Sequence, residues 1–215
     1  MKKICLVIGA GAGIGGNTAK TFAKKNYHVY LTRRSDEIGL NNIIDEIRKE
    51  GGEASGKLLN AVQENSIEEL VNEIEKNIGQ IDVAVYNLGA QIGNKPLENL
   101  SSKVFELGWK MGTFGLFRLA RTLFPFMVKR KKGTLIVTSS TAAVRGNKGQ
   151  HSHAAAMGGR RMLCQTLADE YSRLGIHVIH AIIDGAVDAP DTLGKMLGPE
   201  AYKKLRENKG LEKDG

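Results

Sequence analysis

The chain has 215 residues, of which 41% are hydrophobic and 25% charged, and it carries a net charge of +8. That length supports one sizeable core, and no apolar stretch approaches the ~20 residues of a membrane-spanning helix. The basic residues are scattered in small groups with few aromatics between them, so neither nucleic acid nor a membrane surface is an expected partner.

The predicted elements alternate along the chain. Residues 2–8, KKICLVI, read as a short apolar strand. The two lysines look like the start of a signal peptide, but Ile4–Ile8 is too short for its apolar segment, so a cytoplasmic protein is expected. Glycines follow, then a helix through Thr18–Lys25 and a second strand at 28–32. Residues 36–50 place Ile38, Ile43, Ile44 and Ile47 at helical spacing and stop at Gly51 and Gly52. A third strand is expected at 56–62, a helix at 66–78 and a fourth strand at 81–87. Residues 101–130 read as one long helix, apolar around nearly its whole circumference and so buried on more than one side, with a kink at Pro125. A fifth strand at 133–140, a helix at 153–174 and a sixth strand at 176–183 follow. Beyond Ile183 nothing reads as a strand, and a short helix is expected around 199–208. Cys5 and Cys164 sit in apolar surroundings and are expected as buried, reduced thiols.

Strands this continuously apolar, alternating with helices, predict one α/β domain over residues 1–215. Its expected form is a doubly wound parallel sheet of the Rossmann type, with six strands and helices on both faces. The turn after the first strand carries the first functional signal. It reads Gly9, Ala10, Gly11, Ala12, Gly13, Ile14, Gly15, Gly16, with GxGxxG spacing from Gly11 and GxxxGxG spacing from Gly9. Glycines between a strand and a helix let the backbone approach a pyrophosphate, and the helix N-terminus offers N–H donors and positive potential. After the second strand, an acidic residue would take the ribose 2′-hydroxyl of NAD. Arg33 and Arg34 stand there instead. Guanidinium forks suit a 2′-phosphate, so NADP is expected over NAD. Asp36 and Glu37 are read as first-turn residues of the next helix.

With these motifs in order, the chain resembles the short-chain dehydrogenase/reductase family over about residues 3–190. Residues 8–15 resemble the TGxxxGxG turn, with Ile8 in place of threonine; LLNAV at 58–62 resembles the end of the third strand; YNLGA at 86–90 resembles NNAG. GTLIVTSS at 133–140 resembles the strand ending in the catalytic serine, and 174–190 resembles GIxVNxxxPG with Asp184 for proline. The resemblance implies that Asn60 and Ala61 hold adenine, and that Asn87, Gly89, Gly185 and Val187 lie along the cofactor. It also implies hydride transfer between NADP(H) and a small carbonyl or alcohol substrate. In the family a tyrosine moves the proton, a lysine one turn later lowers its pKa and holds the ribose, a serine binds the substrate oxygen, and an asparagine orders a water relay. By spacing, Ser140 matches the serine, but His153 falls on the tyrosine, Met157 on the lysine and Gly112 on the asparagine. The chain therefore resembles an atypical subgroup that lacks the YxxxK pair.

HSHAAAM at 151–157 leaves three readings open. In the first, His153 replaces tyrosine as acid/base beside Ser140, since imidazole titrates near pH ~6.5 and needs no lysine. In the second, the site is catalytically dead and the chain is a non-catalytic NADP(H)-binding regulatory or interaction protein. In the third, His151 and His153 bind a metal; residues two apart do not share a helix face and nothing nearby completes a ligand set, so no metal is expected. Ser152 is expected to cap the helix and Met157 to fill a core gap. The resemblance also implies a seventh strand beside the sixth, which this sequence does not carry. Residues 176–183 would then form an open edge, covered by a partner chain or by residues 195–208. A homodimer or homotetramer is implied through the helices at 101–130 and 153–174.

Overall fold

The structure is a computed structural model that describes residues 2–89, 95–189, 193–194, 197–208 and 211–212. Ala90 and Pro190, the last residues of two motifs, lie outside the described residues, as do parts of the C-terminal segment. The strands are β1 (Lys3–Ile8), β2 (His28–Arg33), β3 (Glu53–Leu58), β4 (Gln80–Tyr86), β5 (Gly133–Ser140) and β6 (Ile176–Ile183). They form one six-stranded sheet in the order β3-β2-β1-β4-β5-β6, parallel at every pairing. The order reverses between β1 and β4, so a crevice opens at the carboxyl ends of these strands.

Both faces of the sheet are covered, as the apolar strands require. Along β1, Ile4, Leu6 and Ile8 enter one core while Cys5 and Val7 enter the other. Alternate residues point to opposite faces, so a strand buried on both sides is apolar throughout. Helices α1 (Ile14–Ala23) and α2 (Glu37–Lys49) cover the second core, with Ala19, Ile43 and Ile47 turned inward. Helices α3 (Ser66–Asn77), α5 (Gly115–Lys129) and α6 (His151–Tyr171) cover the first. Cys5 and Cys164 are both buried and unbridged, and burial pushes the Cys164 thiol up to about 12.

Several expectations need correction. The third strand is Glu53–Leu58, not 56–62, so Asn60 and Ala61 follow the strand. Residues 101–130 are not one helix: α4 (Ser102–Trp109) passes into a π-turn at Lys110–Phe114 and then into α5. The irregularity falls there, while α5 stays α-helical through Pro125. Nor is this region buried all round. Leu116, Leu119, Leu123, Phe124 and Met127 are buried, while Phe105, Trp109 and Phe117 are each 41% exposed. Trp109, Phe114 and Phe117 stack in a row, with ring centroids 5.1 and 6.0 Å apart.

Beyond β6 the chain forms two-residue strands, β7 (Ala186–Val187) and β8 (Leu211–Glu212), which pair in parallel. Helix α7 (Pro199–Glu207) docks through Asp188, which accepts from Tyr202 Oη and pairs with Arg206 at 3.1 Å. The outer edge of β6 has no strand partner among the described residues, and Ile182 there is 42% exposed.

Candidate active site

A cavity of about 700 Å³ lies at the carboxyl ends of the strands. One end is the glycine turn. Gly9, Gly11, Gly13, Ile14 and Gly15 all line the cavity. The turn is closed on itself: Gly16 N–H donates to Gly11 O at 2.8 Å, and Asn87 Nδ2 donates to Gly9 O at 2.8 Å. Gly9 adopts φ +94°, which side chains rarely tolerate. At Gly15 a Cβ would overlap Gly9 O and lie 2.8 Å from Asn87 Nδ2. The glycines are thus required by close backbone approach. Helix α1 begins at Ile14 with no side-chain cap and no acidic residue in its first turn. Gly16 and Asn17 use their N–H groups within the turn, so it is the amides of Ile14 and Gly15 that can meet an anionic group in the cavity.

Arg33 and Arg34 both line the same end, but they differ. Arg33 is buried and pairs with Asp36 at 2.6 Å. Asp36 also caps α2 through Gly39 N at 2.9 Å, as its position after β2 led us to expect of a first-turn acid. Arg34 is exposed. Asn87, Gly89, Gly185 and Val187 also line the cavity, with Val187 beside Gly13. Ala12 is exposed and, like Asn60 and Ala61, is not among the described lining residues. Asn60 instead accepts from Ser66 Oγ through its carbonyl, and Ala61 O accepts from Arg118 at 2.9 Å.

At the other end, β5 delivers Ser140 and α6 delivers His153. Ser140 Oγ lies 3.0 Å from His153 Nε2, and the tautomer decides which of them donates. Both line the cavity, as does Met157 one helical turn further. Met157 is buried and its sulfur lies 3.7 Å from Ser139 Oγ. Gly112 is buried in the π-turn. Ser152 does not cap α6, which starts at His151 after Gln150. It lies inside the first turn, buried, and donates to Phe105 O at 3.2 Å, tying α6 to α4. Among the described residues no group of three His, Cys, Asp or Glu side chains could hold a metal ion.

The sequence reading missed Arg160. It is 1% exposed, lines the cavity, and makes three hydrogen bonds: Nε to Gly112 O at 2.8 Å, Nη1 to Thr138 O at 2.6 Å and Nη2 to Leu88 O at 2.7 Å. Its guanidinium lies 5.2 Å from the ring centre of Tyr86, whose phenol burial pushes upward in pKa. His180 on β6 is held below its usual range by burial first, then by Arg160 and Arg161. In sequence Arg160 looks like one more scattered basic residue; its only signal is its place seven residues after His153, on the same helix face.

The arrangement can take an elongated anion at the glycine end and exchange a proton at the Ser140–His153 end. Among the described residues no helix is long and apolar enough to cross a membrane. The sequence pattern of the short chain dehydrogenases matches residues 3–195. The 3-oxoacyl-(acyl-carrier-protein) reductase FabG of Thermotoga maritima is 28% identical over 190 residues, covering 88% of this chain and 76% of that one. The crystal structure of a short-chain dehydrogenase from Rhodopseudomonas palustris has a TM-score of 0.80 at 30% identity, over 95% of this chain and 92% of that one. An alcohol dehydrogenase from the archaeon Thermococcus sibiricus, complexed with 5-hydroxy-NADP, has a TM-score of 0.79 at 25% identity, over 88% and 79% of the two chains. A parallel sheet with a glycine-lined cavity at its switch point, and a pattern match over nearly the whole chain, place it: this protein belongs to the short chain dehydrogenase family.

Proposed function

We propose that the chain is an NADP(H)-dependent oxidoreductase of a small carbonyl or alcohol, slow in turnover, with its proton chemistry moved to His153. The observation that carries this reading is the 3.0 Å contact between Ser140 Oγ and His153 Nε2 inside the glycine-lined cavity. The cavity fits a dinucleotide because its glycines leave no room for side chains and α1 presents uncapped amides. Gly9, Gly11, Gly13, Ile14 and Gly15 would hold the pyrophosphate, with Ala12 beside them. Asn60 and Ala61 would hold adenine, and Asn87, Gly89, Gly185 and Val187 would flank the nicotinamide half. Arg34 is the better candidate for a 2′-phosphate, because Arg33 is already paired with Asp36. The dinucleotide supplies or accepts the hydride.

The chain's own residues handle the proton. In the direction of reduction, Ser140 Oγ–H donates to the substrate oxygen, and His153 Nε2–H donates to Ser140 Oγ. The proton on the product alcohol thus comes, in net, from the imidazole. Met157 has no donor to hold a ribose, so turnover is expected to be well below that of a site with a lysine there. A second reading, an NADP(H)-binding regulatory protein without turnover, draws on the same two losses, Met157 and Gly112. Titration with NADPH and NADH followed by a panel of carbonyl compounds separates them. Slow NADPH-dependent reduction supports the oxidoreductase; tight binding with no turnover of any carbonyl supports the regulatory protein; no binding of either dinucleotide contradicts both. We also infer a homo-oligomer that buries the Trp109–Phe114–Phe117 row, which sedimentation would report as a mass above one chain.

A further inference from the structure

Arg160 is a cation sealed in the protein with no carboxylate within ion-pair distance among the described residues. Burying a charge without a counter-charge is costly unless its hydrogen bonds are satisfied and something requires it. Three carbonyls satisfy most of its donors, and they come from three elements: Leu88 after β4 and Thr138 in β5, which line the cavity, and Gly112 in the π-turn. Thr138 stands two residues before Ser140 on the same strand. It also donates from Oγ1 to Asn87 Oδ1 at 2.7 Å, which joins the strand ends of β4 and β5. On α6, His153, Met157 and Arg160 are spaced four and three residues apart and all line the cavity, so they share one helix face. A hydrophobic residue at 160 would fill the same floor without a desolvated charge. The charge therefore has work that packing does not explain.

We propose that Arg160 is the positioning residue of the Ser140–His153 pair: it ties the strand ends and the π-turn beneath that pair, and its charge favours negative charge growing on a substrate oxygen held at Ser140. The inference rests on the proposed role of Ser140 and His153. Such growing charge is what a carbonyl oxygen of the substrate class already proposed would carry. Other ionisable groups on elements packed against α6 are Lys103 and Glu106 of α4, Lys110 of the π-turn, Arg118, Arg121 and Lys129 of α5, Arg173 in the turn after α6, and His177 and His180 of β6. Lys110 and Glu106 pair with each other at 2.6 Å, and Arg118 pairs with Glu68. Asp36 is held by Arg33, Asp184 is exposed beyond β6, and Arg34 lines the cavity as a further cation. Of the groups on α6 and the elements packed against it, Arg118 and Arg160 are buried, and only Arg160 of the two lines the cavity among the described residues.

The test is an NMR titration of the His153 side chain in the cofactor-free protein, in wild type, Arg160→Lys and Arg160→Met. Removing the cation should raise the His153 midpoint by about half a pH unit or more, while lysine should leave it nearly in place. Should Arg160→Met not fold, Arg160→Gln replaces it, neutral yet still able to donate to a carbonyl. An unmoved midpoint in the neutral variant, or an equal rise in Arg160→Lys, overturns the inference. Turnover gives a second arm: kcat should fall roughly 30-fold in the neutral variant with NADPH affinity within about threefold, and Arg160→Lys should recover most of it. Loss of NADPH binding together with kcat in both variants would mean a purely structural arginine. A shifted midpoint in a protein that reduces nothing would sink the oxidoreductase reading and leave the electrostatic role standing; an unshifted midpoint in an active enzyme would do the reverse.

Discussion

The glycine turn and the Ser140–His153 pair line one cavity, and they are built on different principles. At the glycine end nearly everything is backbone: chain approaches chain so closely at Gly9 and Gly15 that side chains are excluded. Around Ser140 the cavity is lined instead by side chains, those of Ser140, His153, Met157 and Arg160, to which we assign the proton chemistry and its support. Backbone geometry tolerates few changes, so the glycine end keeps its family pattern. Side-chain chemistry can be exchanged residue by residue while the fold survives, and on the proposed correspondence His153, Met157 and Gly112 stand at three such positions.

The sharpest way to break that contrast is Gly15→Val. The new side chain would overlap Gly9 O and crowd Asn87. Dinucleotide binding should fall by ~100-fold or more, because small displacements in a positioned site are that costly. Stability should drop by about 1–3 kcal/mol from overpacking. Fluorescence titration and thermal melting would read both, and unchanged NADPH affinity would mean the turn is not the cradle. At the proton end, Ser140→Ala should cost roughly 100-fold in kcat with little change in NADPH affinity, as for loss of one donor to a reacting oxygen. A parallel loss of binding would instead make Ser140 part of the cofactor site.

Arg34→Asp lies between these extremes. Losing a charged hydrogen bond to a 2′-phosphate costs about 1.5–3 kcal/mol, so the NADPH-over-NADH preference should fall roughly 10- to 100-fold. Arg33→Asp should lower stability as well, since it sets a second carboxylate beside Asp36. Equal dinucleotide affinities in wild type and Arg34→Asp would make Arg34 surface decoration. The smallest effect belongs to Met157→Leu: a volume-conserving swap at a buried gap filler should shift stability by less than ~1.5 kcal/mol in thermal melting. A larger loss would give the Ser139–Met157 contact more weight than packing.

The same contrast explains what could be read from sequence. Apolar runs announce strands, which is why β1, β4, β5 and β6 fall within a residue or two of expectation, although β6 is fully buried only at Ile176. Strand β3 does not: its residues EASGKL lie at the sheet edge with only Ala54 buried, so Leu58 at its end and Leu59 beyond it drew the expected strand three residues late. The glycine turn was legible because local spacing and context define it. The Ser140–His153 contact was legible only through spacing carried over from a family. Arg160 was not legible, because a basic residue on a polar-looking helix shows no local sign of turning inward. The π-turn was hidden for a similar reason: nothing in KMGTF breaks a helix as visibly as Pro125, yet Gly112 and Thr113 there give up regular bonding while Gly112 O and Thr113 Oγ1 bond to α6.

The most direct measurement is single-turnover reduction of a carbonyl by NADPH in wild type and His153→Phe, with NADPH affinity determined on the same samples. A slow wild-type rate that falls ~100-fold or more in His153→Phe, at NADPH affinity within about threefold, is the predicted result. Equal rates in the two proteins would contradict a proton site at His153.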